Sequence, residues 1–289
     1  MTKRIIILFI VCMLGLYGCK ADPVIQTGLL GELIDTENGV AISPFDEYVF
    51  LDYFAFENGV AVLPEVFNDE YTIDSVGEGT FGGNKDLSSV VIPDSYKYLC
   101  MFSFSNCPSL KTIEIGKGLK SVEVLAFAES NAVESVTISE ENPYLYAEGL
   151  CIIERESEKV ICGFAKSVIP DGVKVIGTNA FAYATGAEEY ILPQTVVKIE
   201  GAAFANCSIK TTDLPESVET IEKYAFSGCT ALERMYIPQS VTLVEECILD
   251  DCKNVTVYCE AESKPEGWSD DWLAGSENVT VVWGYTPEE

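Results

Sequence analysis

The sequence predicts a mainly β chain with short helical turns, wound as a solenoid of repeats of about 23 residues with a hairpin insertion and terminal caps. Three observations predict it. Phe81, Phe104 and Phe127 stand 23 residues apart, Phe181, Phe204 and Phe226 continue at 23 and 22, and Leu249 follows 23 further on. Pro170, Pro193, Pro215 and Pro238 keep the same beat. Cys107, Cys207, Cys229 and Cys252 each fall three residues after their Phe or Leu. Three residue types held in one phase mark a repeat. A unit this short cannot bury its apolar face alone, so the units must stack.

One full unit reads LPESVETIEKYAFSGCTALERMYI, from Leu214 to Ile237. Its V-x-x-I and L-x-x-φ-x-φ segments, where φ is apolar, are rich in Val, Ile and Thr and bounded by Pro and Gly, which predicts two strands per unit. The A-F-x-x-C stretch between them is too short for an independent helix and reads as a turn of helix or an irregular bend. The phased Phe, Leu and Ile belong to the core. Ala126, Ala180, Ala203 and Ala225 precede their Phe residues, where a larger side chain would crowd the ring. The phased cysteines read as buried thiols, which behave as small hydrophobes.

The beat breaks between Phe127 and Phe181, which lie 54 apart. An insertion is expected at about 139–167. Asn142-Pro143 is a turn signal. Gly149-Leu-Cys-Ile-Ile and Lys159-Val-Ile-Cys, separated by a charged turn, read as the arms of a β-hairpin. Cys151 and Cys162, one on each arm, form the candidate disulfide if the compartment is oxidising. The regular solenoid is expected over 64–258, with an N-terminal tether and cap over 19–63 and a C-terminal cap, holding Trp268, Trp272 and Trp283, over 259–289.

Residues 1–18 are predicted to be a secretory signal: Lys3 and Arg4 precede an apolar run from Ile5 that is too short to span a bilayer. The ending Leu16-Tyr17-Gly18-Cys19 resembles the bacterial lipobox. That resemblance implies cleavage before Cys19, a diacylglycerol on its thiol, and the membrane as a partner through that lipid. Removing Lys3 and Arg4 changes the charge balance from 18 − 46 = −28 to 16 − 46 = −30.

The phased frame I-P-x-x-V-x-x-I-x-x-x-A-F-x-x-C-x-x-L, carried from about Pro64 to Val257, resembles the BspA-like bacterial leucine-rich repeats. The insert beginning EENPYLY and the ending KPEGW…VVWGY are similar to segments of that family. The resemblance implies a right-handed, β-rich solenoid exposed at the bacterial cell envelope, and adhesion to host matrix proteins is a function of some members.

Composition narrows the chemistry. The chain has no histidine, so Ser-His-Asp and Cys-His mechanisms are excluded. Its negative charge repels phosphate backbones, which disfavours nucleic acid as a partner. Gly77-Glu-Gly79-Thr-Phe-Gly82 matches G-x-G-x-x-G, but Phe81 occupies the core position of the repeat, so the match carries no dinucleotide site. No C-x-x-C pair occurs. No catalytic residue, cofactor or metal is assigned. The expected function is a non-catalytic surface binding or adhesion module that presents its repeat sheet to a protein or glycan. Outward-facing strand residues are the candidate contacts: Thr112, Glu114, Thr137, Glu189, Asp213, Arg234 and Tyr236, of which the Arg234–Tyr236 pair is the most hot-spot-like. The alternatives are a structural envelope component or a carboxylate-dependent glycosidase, which would place Glu189 and Asp213 on neighbouring strands.

Overall fold

The computed structural model describes residues 26–27, 33–35, 38–45 and 48–287; the expected signal segment, Cys19 and the tether lie outside the described residues. The chain opens with β1 (Gln26–Thr27), β2 (Leu33–Asp35), β3 (Val40–Phe45) and β4 (Tyr48–Phe54), paired antiparallel in sequence order. It then winds through β5 (Val60–Val62), the hairpin β6 (Val66–Phe67) and β7 (Tyr71–Thr72), and β8 (Ser75–Val76). The coils continue with β9 (Ser89–Ile92), β10 (Tyr98–Leu99), β11 (Thr112–Ile115), β12 (Ser121–Val122) and β13 (Ser135–Ile138). Then come β14 (Leu145–Glu148), β15 (Cys151–Glu154) and β16 (Lys159–Cys162). The remaining coils supply β17 (Val175–Ile176), β18 (Lys198–Ile199), β19 (Thr211–Asp213), β20 (Thr220–Ile221), β21 (Arg234–Ile237), β22 (Leu243–Val244), β23 (Thr256–Cys259) and β24 (Thr280–Trp283).

Both strand segments of the repeat form, and stacking makes them parallel. The longer strands build two sheets, β13-β11-β9-β5 and β19-β21-β23-β24. The two-residue strands build a second wall as continuations of the longer β4 and β16, in the orders β4-β8-β10-β12 and β16-β17-β18-β20-β22. Between the walls the phased aromatics stack: Phe81, Phe104 and Phe127 lie 5.0 and 5.2 Å apart, and Phe181, Phe204 and Phe226 lie 5.2 and 5.3 Å apart. These spacings match the offset-stacked range that stabilises ring pairs beyond their burial.

The expected helical turns are corrected, because no helix occurs among the described residues. The A-F-x-x-C stretch is a ribbon of successive turns in which residues two before and two after the core Phe take positive φ. Phe102 (59°) and Asn106 (50°) flank Phe104, and Ala202 (55°) and Asn206 (58°) flank Phe204. Alternate N–H groups serve different partners. Ser103 and Ser105 donate within their own turn, to Cys100 and Phe102, while Phe104 and Asn106 donate to Ala126 and Ala128 of the next coil. A helix would direct its N–H groups inside one coil and leave the neighbouring coil's carbonyls without donors. The alternating ribbon satisfies both.

Two further phased positions close this network. Glu123, Glu200, Glu222 and Glu245, each four residues before its Phe or Leu, accept from the backbone N–H of Met101, Thr178, Gly201 and Lys223 on the preceding coil, at 2.9–3.0 Å. The repeat cysteines are buried as expected, and each thiol also has a directional role. Cys107, Cys207, Cys229 and Cys252 donate to the carbonyl of Phe81, Phe181, Phe204 and Phe226, one coil back, at 2.9–3.2 Å. Ser130 stands at the cysteine position of its own coil, and its hydroxyl donates to the Phe104 carbonyl at 2.7 Å.

The insertion is a three-stranded antiparallel unit: the expected hairpin, β15 with β16, plus β14. It is spliced into the wall, because β16 pairs parallel with β17. The candidate disulfide is corrected. Cys151 and Cys162 are free and buried. Ile152, not Cys151, faces Cys162 across the pair. That offset of one residue sends the two side chains to opposite faces. Cys151 packs with the core of the second half and Cys162 with that of the first.

Candidate functional site

The outward rows of the two long-strand sheets are the surfaces that the repeat presents. In the first, Val60, Ser89, Thr112 and Ser135 stand in register as one row, and Val62, Val91, Glu114 and Thr137 as the next. Strand alternation turns Ile113 and Ile115 into the core and leaves Glu114 exposed between them. Thr112, Glu114 and Thr137 therefore lie together on one face, as expected. The loops after these strands rise beside the second row and carry Glu65, Asp94 and Glu140, which with Val91, Glu114 and Thr137 line an open groove of about 580 Å³.

The groove is acidic and short of partners. Among the described residues, Glu65, Glu114 and Glu140 have no lysine or arginine within ion-pair distance. At its rim Lys117 lies 3.8 Å from Asp94 and 3.0 Å from Glu141. Those carboxylates raise its pKa above the ordinary lysine value. One strand beyond Val91 the edge of the sheet is apolar and open: Val62 is 58% exposed, with Val60 and Val66 beside it in the chain also exposed. Sequence reasoning missed Val62 and Val91 because the β6–β7 hairpin separates them by 29 residues and breaks the beat.

The second sheet differs. Asp213 and Arg234, diagonal neighbours on the paired strands β19 and β21, are joined by a 2.8 Å ion pair across the exposed face. Tyr236 is corrected: it lies on the outward face yet is only 8% exposed. Its hydroxyl donates to Glu216 at 3.3 Å, and burial, with Glu260 and Glu216 beside it, pushes its pKa up. Tyr285 covers it, packing edge-on against Tyr236 at 6.2 Å and against Tyr258 at 4.6 Å. The cause is local. Gly284, at φ 66°, adds a residue to the ladder, so that Tyr285 rather than Gly284 donates to Cys259 and is re-aimed outward.

Glu189 is also corrected, since residues 187–192 form no strand. The insertion coil offers this segment no ladder on one side, and Tyr190 turns inward, donating to Phe164 at 3.0 Å and packing 4.7 Å from Phe181. Ile191 is left 80% exposed. Glu189 and Asp213 therefore do not form the adjacent-strand carboxylate pair that a glycosidase reading requires. No group of three or more potential metal-binding side chains converges among the described residues. No helix among them is long and apolar enough to cross a membrane.

Comparison with known proteins adds the lineage. The sequence profile described as BspA type leucine rich repeat region matches in six copies, over residues 51–148 and 159–265. No curated protein matches the chain in sequence. A leucine-rich repeat protein from Bacteroides ovatus is similar in structure, with 21% identity and a TM-score of 0.53 over 85% of this chain and 70% of that one. A leucine rich cell surface protein from Faecalibacterium prausnitzii gives 18% identity and 0.36 over 89% and 99% of the chains. The T. pallidum leucine rich repeat protein gives 18% and 0.42 over 86% and 99%.

Proposed function

This chain belongs to the BspA-type leucine-rich repeat family, and on that premise we propose that it is a non-catalytic binding or adhesion module of the bacterial cell envelope. The observation that carries the reading is the first long-strand sheet, whose outward rows stand in register across four coils and lie open beside a groove. A rigid repeat sheet with uncovered side chains is suited to a macromolecular partner, a protein or a glycan.

The proposal includes anchoring through a lipid on Cys19. Support comes from the lipobox resemblance at Leu16–Cys19 and from the physics of two acyl chains, which hold a protein at a bilayer where one holds it weakly. Cys19→Ala should move the expressed chain from the membrane fraction to the soluble fraction. Retention in the membrane would sink the anchoring claim.

Binding itself is tested by pull-down of the purified full chain against host matrix proteins and envelope glycans, beside a Thr112→Arg/Thr137→Arg double variant. Both substitutions lie at non-core positions of the first sheet. Saturable binding that the variant weakens by about tenfold supports the reading, since one bulky charge at an interface centre costs that much or more. A partner captured equally by both chains places the contact elsewhere. No capture by either panel removes the adhesion function.

A further inference from the structure

We infer that the groove beside Glu114 receives an extended peptide segment rich in lysine or arginine, which names the partner class of the surface proposed above and rests on that reading. Its floor has two chemistries in one row. Val91 supplies aliphatic surface and Glu114 a carboxylate within the groove, and Val62 continues the row one strand beyond its lining, each displaced from the next by one strand spacing of about 4.8 Å. An extended peptide rises about 3.3 Å per residue and alternates its side chains, so four or five residues cover the row. One set of alternate side chains then meets the valines while the other reaches the loop carboxylates.

Charge selects the sign of that second set. Glu65, Glu114 and Glu140 have no ion-pair partner among the described residues, whereas the chain's own Lys117 is already held between Asp94 and Glu141 at the rim. Lys117 shows that an ammonium fits the spacing between successive loops. A cationic side chain deeper in the groove would meet carboxylates that have no ion-pair partner among the described residues. The net charge of −28 adds long-range attraction for the same partner and repels an acidic one.

Exposure separates this face from its counterpart. On the second sheet Tyr285 folds over Tyr236 and Tyr258, so the outward aromatic surface is used internally. No described segment does this for Val62, which remains 58% exposed. The first sheet therefore keeps a contact surface that the second has consumed.

The test uses the purified full chain and three labelled hexapeptides, capped at both ends, followed by fluorescence anisotropy: Val-Lys-Val-Lys-Val-Lys, Val-Glu-Val-Glu-Val-Glu and Gly-Lys-Gly-Lys-Gly-Lys. The Val-Lys peptide should bind saturably at one site and weaken steeply with salt. Glu114→Gln/Glu140→Gln should weaken it by about tenfold, and Glu156→Gln/Glu266→Gln, an equal charge change at exposed positions elsewhere, should leave it unchanged. The Gly-Lys peptide should bind several-fold more weakly, for want of the valine contact. Equal loss in both double variants, tighter binding of the Val-Glu peptide, or no saturable binding would each overturn the inference. If the hexapeptide fails while the pull-down retains a partner that Thr112→Arg/Thr137→Arg weakens, the groove assignment falls and the binding function stands.

Discussion

At the scale of single residues, the repeat places demanding chemistry at positions that look ordinary. Ala202 holds φ 55°, a left-handed conformation that costs an L-residue about 1–2 kcal/mol. Its alanine carries nothing the fold needs there beyond its backbone. Ala202→Gly should therefore raise stability by about 0.5–1 kcal/mol, after glycine's larger loss of chain entropy is deducted, as a shift in urea midpoint at constant m-value would show. Cys229 makes the opposite point. Its thiol is a hydrogen-bond donor to Phe204, and Ser130 performs the same task in its own coil. Cys229→Ser should stay within about 1 kcal/mol of the parent, whereas Cys229→Val, which removes the donor and adds bulk, should lose about 1–3 kcal/mol. A valine variant as stable as the serine variant would reduce the position to simple apolar packing.

At the scale of elements, two kinds of order hold the coils together. The aromatic ladder is redundant in kind but local in effect: Phe204 lies between Phe181 and Phe226, and Phe204→Ala should cost about 3–5 kcal/mol by chemical denaturation. The insertion depends instead on one polar group. Asn142, 2% exposed, donates to the carbonyls of Gly116 and Leu119 and accepts from the N–H groups of Tyr144 and Leu145. Two of these bonds reach back to the first solenoid half and two hold the backbone entering β14, so the one side chain bridges them. Asn142→Ala would strand several buried backbone groups at once and should cost at least about 2 kcal/mol. Amide exchange offers a local check, since protection should fall first across β14 and β15.

At the scale of the whole molecule, the buried thiols tie stability to pH. Burial pushes Cys107 and Cys252 up to about 11 and Cys207 and Cys259 up to about 12. An unfolded thiol titrates near about 8.5. As pH rises the unfolded chain therefore loses its protons first, so stability present in full below about pH 8.5 declines as pH climbs toward 11 and 12. Urea midpoints measured from pH 7 to 11 should fall progressively above about pH 9. Iodoacetamide at pH 8 should spare these four cysteines until the chain unfolds, because the thiolate is the reactive form. Ready labelling of any of these four in the native chain would contradict their burial.

Much of this architecture was legible in order of residues alone. Phase identified the repeat, because stacked coils require the same residue at the same depth in each; Phe104, Pro215 and Cys229 are each explained by that rule. The phased glutamates Glu123, Glu200, Glu222 and Glu245 were equally visible, but a carboxylate on a solvated face and one that accepts from the preceding coil look alike in sequence. Tertiary structure alone decided what depends on register and on distant segments. A one-residue offset between β15 and β16 separated Cys151 from Cys162, the extra residue at Gly284 laid Tyr285 over Tyr236, and the missing ladder beside the insertion kept Glu189 out of a strand. Sequence determined which residues recur, since periodicity is a local property of the chain. Only the folded coil determined which neighbours they meet, since pairing is set by alignment between segments from about 10 to about 50 residues apart.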